Sequence, residues 1–66
     1  MKLVVQKDND ALYLRLDDTS IIESEEVSDG IILDYNAEGK VVGIEVLYIS
    51  QRSPGSWQHI LLETTP

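Results

Sequence analysis

Asp34-Tyr35-Asn36-Ala37-Glu38-Gly39-Lys40-Val41-Val42-Gly43-Ile44-Glu45-Val46-Leu47 reads as two β-strands joined by a turn whose chemistry is written into it. Asn36 suits the first turn position because its side chain can bond the backbone ahead of it. Gly39 suits the last, where a positive φ carries no Cβ penalty. Asn36 to Gly39 therefore fits a type I turn closed by a left-handed glycine, a G1 bulge. That geometry pairs Asn36 with Lys40, Asp34 with Val42, Leu33 with Gly43 and Ile32 with Ile44.

The strand leaving this turn, Lys40 to Ile49, places Val42, Ile44, Val46 and Tyr48 on one face. Val41, Leu47 and Ile49 share the other face with Gly43 and Glu45. A strand apolar on both faces is expected to be covered on both. On the amino-terminal side, Gly30 to Tyr35 is the preceding strand. Ser20 to Val27, with Glu23, Glu25 and Glu26, reads as an edge strand whose carboxylates block unwanted pairing. A helix is the alternative there, since Glu is a good helix former, but Ile21-Ile22 and the Asp29-Gly30 turn favour a strand. Ala11-Leu12-Tyr13-Leu14-Arg15-Leu16 alternates strictly, leucines on one face and Tyr13 and Arg15 on the other. It forms a first hairpin with Lys2 to Gln6 across the polar cluster Lys7-Asp8-Asn9-Asp10.

At the carboxyl end, Ser53-Pro54 reads as a helix N-cap and first helical position. Trp57, Ile60 and Leu61 then fall at i, i+3 and i+4, predicting a helix over about 54–63 that packs its stripe on the sheet. The fold class expected is α+β. An antiparallel sheet of four to five strands, a meander of hairpins within 2–49, carries one C-terminal helix on one face, all in a single domain, 1–66.

With 66 residues and no cysteine, the chain is short and has no disulfide or thiolate metal site to support it. Self-association is the remaining aid, and an uncovered second sheet face predicts a homo-oligomer, a dimer first. The formal net charge of -7 opposes binding to nucleic acid or anionic membrane and suits a basic protein partner. No apolar run approaches the roughly 20 residues of a membrane span. With no signal-peptide pattern at the amino terminus either, the expected location is cytoplasmic.

Asp10-Ala11-Leu12-Tyr13-Leu14-Arg15-Leu16, Glu23 to Tyr35, Glu38 to Leu47 and Ser50 together resemble the YuzE-like family of small bacterial and archaeal proteins of unknown function. The resemblance covers about residues 1–50. It implies an antiparallel sheet with a C-terminal helix and no established enzyme activity. Genes of that family often lie beside small toxin-like genes, which implies an antitoxin-like role with a small toxin as partner. Two segments depart from the family pattern. Val5-Gln6-Lys7-Asp8 stands where a Tyr-Asp pair is usual, and Tyr48-Ile49-Ser50 replaces a small polar step.

Among residues that carry chemistry, Glu45 stands out because it lies inside an apolar run, where a carboxylate needs a partner. Arg15 is the expected one, as a pair that fixes register or orients an interface. Asp8-Asn9-Asp10 faintly echoes a calcium loop but lacks its glycine and distal glutamate. Ser50, His59 and Asp34 make a triad on paper only, with no nucleophile elbow beside Ser50. His59 is expected to be exposed on the helix, and Ser50 to cap the connection into it. No catalytic, cofactor or metal residue is assigned. The expected interface residues are Tyr13, Arg15, Glu23, Glu25, Glu26, Glu45 and Tyr48. The expected function is a self-associating interaction module for a basic partner. One alternative is a small metal- or ligand-dependent enzyme using Asp34, Glu45 and Arg15 at an intersubunit cleft, and another is a scaffold with no small-molecule site.

Overall fold

The computed structural model describes residues 1–66. Five strands form one antiparallel sheet: β1 (Lys2–Gln6), β2 (Ala11–Arg15), β3 (Glu23–Ser28), β4 (Ile31–Tyr35) and β5 (Val41–Val46). Their order is β1-β2-β5-β4-β3, so β5 is central and β1 and β3 are the edges. One short helix, α1 (Ile49–Arg52), follows the sheet. This is the expected α+β arrangement with a carboxylate-bearing edge strand.

The Asn36–Gly39 turn forms as its residues dictate. Gly39 has φ 78°, and the Asn36 carboxamide oxygen accepts the N–H groups of Glu38 and Lys40 at 3.0 Å each. The pairing beyond it differs from expectation by one residue. Tyr35 lies opposite Val41, but Asp34 opposes Gly43, Leu33 opposes Ile44 and Ile32 opposes Glu45. Val42 is the extra residue, a bulge that shifts β5 by one step against β4. It is almost fully buried, and its carbonyl accepts the N–H of Leu16 at 2.8 Å.

This register sorts the sheet into two unlike faces. Opposed pairs put Leu3, Val5, Leu12, Leu14, Ile44, Val46, Leu33 and Ile31 on one side. Val4, Ala11, Tyr13, Arg15, Gly43, Glu45, Ile32, Asp34 and Ser24 lie on the other, which is polar except for Val4, Ala11 and Ile32. The expectation that β5 is apolar on both faces is therefore corrected. Within the strand, its second face is Gly43 and Glu45, while Leu47, Tyr48 and Ile49 lie beyond its end.

The C-terminal helix over 54–63 does not form. Helix α1 comes earlier, a 3₁₀ turn covers Ser56–Gln58, and residues 59–66 have no regular structure. The cause is local. Gly55 directly follows Pro54 and sits at φ 81°, a left-handed conformation that right-handed helix cannot pass through. The stripe therefore does not pack on the sheet: Ile60 is half exposed and Leu61 is 82% exposed. The buried apolar core is correspondingly small, consisting of Ala11, Val42 and Ile49.

Candidate functional site

The polar face carries the most ordered side chains. Tyr13 lies across Gly43, and its hydroxyl donates to Asp34 Oδ2 at 2.7 Å. The hydroxyl of Ser24 donates to Asp34 Oδ1 at 2.6 Å, so one carboxylate links β2 and β3 across two intervening strands. Gly43 makes this possible: a Cβ there would stand 2.8 Å from Asp34 Oδ2 and closer still to the Tyr13 hydroxyl. Burial, with a smaller contribution from Asp34, raises the Tyr13 pKa above its ordinary 10.0, against an opposing bond from Arg15.

Arg15 does not pair with Glu45, which corrects the expected ion pair. Glu45 lies opposite Tyr13, whereas Arg15 lies opposite Gly43 and turns outward along its strand. Its Nε donates to the carbonyl of Asp17 at 2.6 Å and its guanidinium to the carbonyl of Thr19. Arg15 thus fixes the connection between β2 and β3. In the same connection, the Thr19 hydroxyl and N–H donate to Asp17 and hold its pKa below 3.8. Glu45 is half-buried and unpaired, the chain's one ion pair being the exposed Lys40–Glu38 contact at 3.5 Å. Arg15 and Asp34 meet at the Tyr13 hydroxyl, which accepts from Arg15 Nη1 at 3.5 Å, whereas Glu45 makes no bond to either.

The β3 edge is exposed along its whole length. Glu23 and Glu25 alternate with Ser24 and Glu26, so the carboxylates occupy both faces of the edge. Glu25 accepts the Tyr35 hydroxyl at 3.2 Å, and Glu26 accepts the Gly30 N–H at 2.9 Å. Burial, then the charge of Glu25, raises the Tyr35 pKa. Glu23, Glu25, Tyr35 and Asn36 line a shallow depression beside the turn. Of the expected interface residues, Glu23, Glu25 and Glu26 all stand exposed on β3, the first two on one face and Glu26 on the other. Tyr13 and Arg15 are engaged within the fold, and Tyr48 lies at the opposite end of the sheet.

That opposite end holds the cluster that the sequence reading missed. Asp10 closes the β1–β2 turn at φ 53°, left-handed, as aspartate tolerates better than most residues. Its carboxylate accepts the Ser50 N–H at 3.0 Å, the Ser50 hydroxyl at 2.7 Å and the Trp57 Nε1–H at 2.8 Å. These bonds, the Ser50 hydroxyl first, lower its pKa below 3.8. Tyr48, also left-handed at φ 58°, reverses the chain into α1, whose Arg52 donates to the carbonyls of Leu47 and Asp29. Ser50 therefore joins α1 to the first hairpin instead of capping a later helix. The signal available in the sequence was an aspartate ending a polar turn, but its partners lie 40 and 47 residues away. His59 is exposed and non-helical.

No group of three or more His, Asp or Glu side chains is placed to hold a metal ion. No helix is long and apolar enough to cross a membrane. No curated protein and no solved structure matches the chain. The family described as Protein of unknown function (DUF2283) matches residues 5–50, a span that takes in the end of β1, all of β2 to β5 and the Asp10–Ser50 joint. Since that match covers well over half of the chain, the protein belongs to the DUF2283 family.

Proposed function

We propose that this chain is a cytoplasmic protein-interaction module that takes a basic segment of a partner protein along β3 and acts as a homo-oligomer. The observation that carries the reading is the exposed edge strand with Glu23, Glu25 and Glu26 on it. An edge strand offers unpaired backbone N–H and C=O groups to an incoming strand. The carboxylates disfavour a like-charged copy and attract a segment rich in Lys or Arg. The net charge of -7 adds a long-range field that speeds capture of such a segment at low salt. In this reading the module carries out no chemical step itself. A small toxin-like protein, as the family resemblance implies, is one such partner if its surface is basic.

The test is capture of basic proteins at low and high salt by the wild type and by a Glu23→Gln/Glu25→Gln variant. A basic partner should be retained at low salt, lost at high salt and lost in the variant. The backbone amides of β3 should gain exchange protection in the complex. Equal capture by the variant, or protection elsewhere, would overturn the reading.

A further inference from the structure

The apolar face of the sheet is closed over only at the end holding Val42, which is almost fully buried. Beyond it, Leu12, Leu14, Leu33, Ile44 and Val46 are half-buried, while Leu3 is 50% exposed and Val5 is 41% exposed. The chain's own tail does not lie over it, since Leu61 and Leu62 are about four-fifths exposed themselves. The dimensions say the same. The radius of gyration is 13.0 Å, against roughly 11 Å for a compact chain of this length. The molecule is a slab 37 × 32 × 18 Å.

We infer that this face is the contact between two copies of the chain, packed sheet against sheet. The area fits. The accessible surface is 5030 Å², whereas a folded chain of this mass is expected to expose roughly 4,200 Å². The excess of roughly 800 Å² is divided between the C-terminal tail and the apolar face, and a standard interface takes about 800 Å² from each partner. The strand spacing and rise give the face a footprint of roughly 24 by 17 Å, about 400 Å² before the relief of its side chains is added. Two such faces give roughly 800 Å² of footprint, which the relief of the side chains raises toward the roughly 1,000 Å² that separates specific from incidental contacts. Two sheets about 10 Å apart would also turn two thin slabs into one body with a continuous core.

Charge selects the second copy over the basic partner proposed above. The centre of the face, over β2 and β5, carries no ionisable side chain, and its carboxylates, Glu23 and Glu25, stand at the β3 margin. A segment rich in Lys or Arg would have to bury its charges against leucine there. The contact therefore deepens the self-association part of the proposed function and leaves β3 free along its outer edge. It also fixes a salt response of opposite sign. Two copies of charge -7 repel, so the dimer tightens as salt screens them, whereas capture of a basic segment weakens.

The test is sedimentation equilibrium on the full chain over a wide concentration range, at low salt and at about 1 M salt, where the screening length falls to about 3 Å. The wild type should reach twice its 7.4 kDa, at lower concentration in high salt. Leu3→Glu, on an already half-exposed edge position, and Leu14→Glu, at the centre of the face, should each weaken the dimer at least about tenfold, the effect of 1.4 kcal/mol. Gln6→Glu adds the same charge on the opposite face of β1 and should match the wild type once allowance is made for repulsion. Circular dichroism identifies any variant that fails to fold, and Leu3→Glu carries the test if Leu14→Glu does. A wild type that stays monomeric, whether its face is bare or covered by its own tail, overturns the inference. So does a dimer indifferent to Leu3→Glu. A monomer that still captures a basic partner sinks only the dimer, and a dimer that captures nothing sinks only the β3 reading.

Discussion

The two faces of this sheet hold their residues in opposite ways. On the polar face, Tyr13, Asp34 and Ser24 are joined atom to atom, and Gly43 is the gap that lets them meet. On the apolar face, Leu12, Leu14, Ile44 and Val46 are only half-buried, and none forms part of a hydrogen-bonded network. Hydrogen bonds fix geometry inside one chain but each adds only about 1 kcal/mol net. Apolar area contributes more, roughly 25 cal/mol per Å², but only when something covers it. The polar face therefore specifies the fold of one copy, and the apolar face holds stability that a single copy leaves unused.

The largest break in that comparison is expected from Gly43→Ala. A Cβ there meets both the Tyr13 hydroxyl and the Asp34 carboxylate, so the network must part. Overpacking of this kind costs about 1–3 kcal/mol, read as a lower urea midpoint. Tyr13→Phe removes the hydroxyl without adding bulk and should cost about 1 kcal/mol in the same assay. Ser24 still serves Asp34 in that variant.

Acid should separate the C-terminal segment from both faces. The Asp10 pKa is lowered in the folded chain, so its stabilising effect is complete above 3.8 and is lost as pH falls through the lowered value. Trp57, whose indole N–H donates to this carboxylate, should show a fluorescence change over that range, and Asp10→Asn should abolish the pH dependence. A Trp57 signal that is flat below pH 4 would mean that Asp10 does not hold the segment.

The smallest effect sharpens the comparison from the other side. Leu3→Gln lies on the uncovered face and should change the stability of a monomer by no more than about 0.5 kcal/mol. If the two copies do pack by this face, the same substitution should lower the apparent stability more at high protein concentration than at low. A cost independent of concentration would place Leu3 in the fold of the single chain.

Several of these features were legible in the residues. The Asn36–Gly39 turn, the alternation of Leu12, Leu14 and Leu16, and the glutamates of the edge strand all act within a few residues of themselves. Asn36 bonds Glu38 and Lys40, and Gly39 takes the φ that only glycine takes freely. The expected helix failed for an equally local reason, because Gly55 interrupts the stripe that Trp57, Ile60 and Leu61 suggest.

What the sequence alone determined is the set of strands, the β4–β5 turn and the charge of the β3 edge, since turn chemistry and alternation depend only on near neighbours. The tertiary structure decided the bulge at Val42, which satisfies β2 and β4 at once and so assigns Gly43 and Glu45 to the polar face. It also decided the partners of Arg15, Asp34 and Asp10. A side chain chooses among acceptors by distance in the folded chain, and Asp34 meets Tyr13 from 21 residues away while Asp10 meets Trp57 from 47.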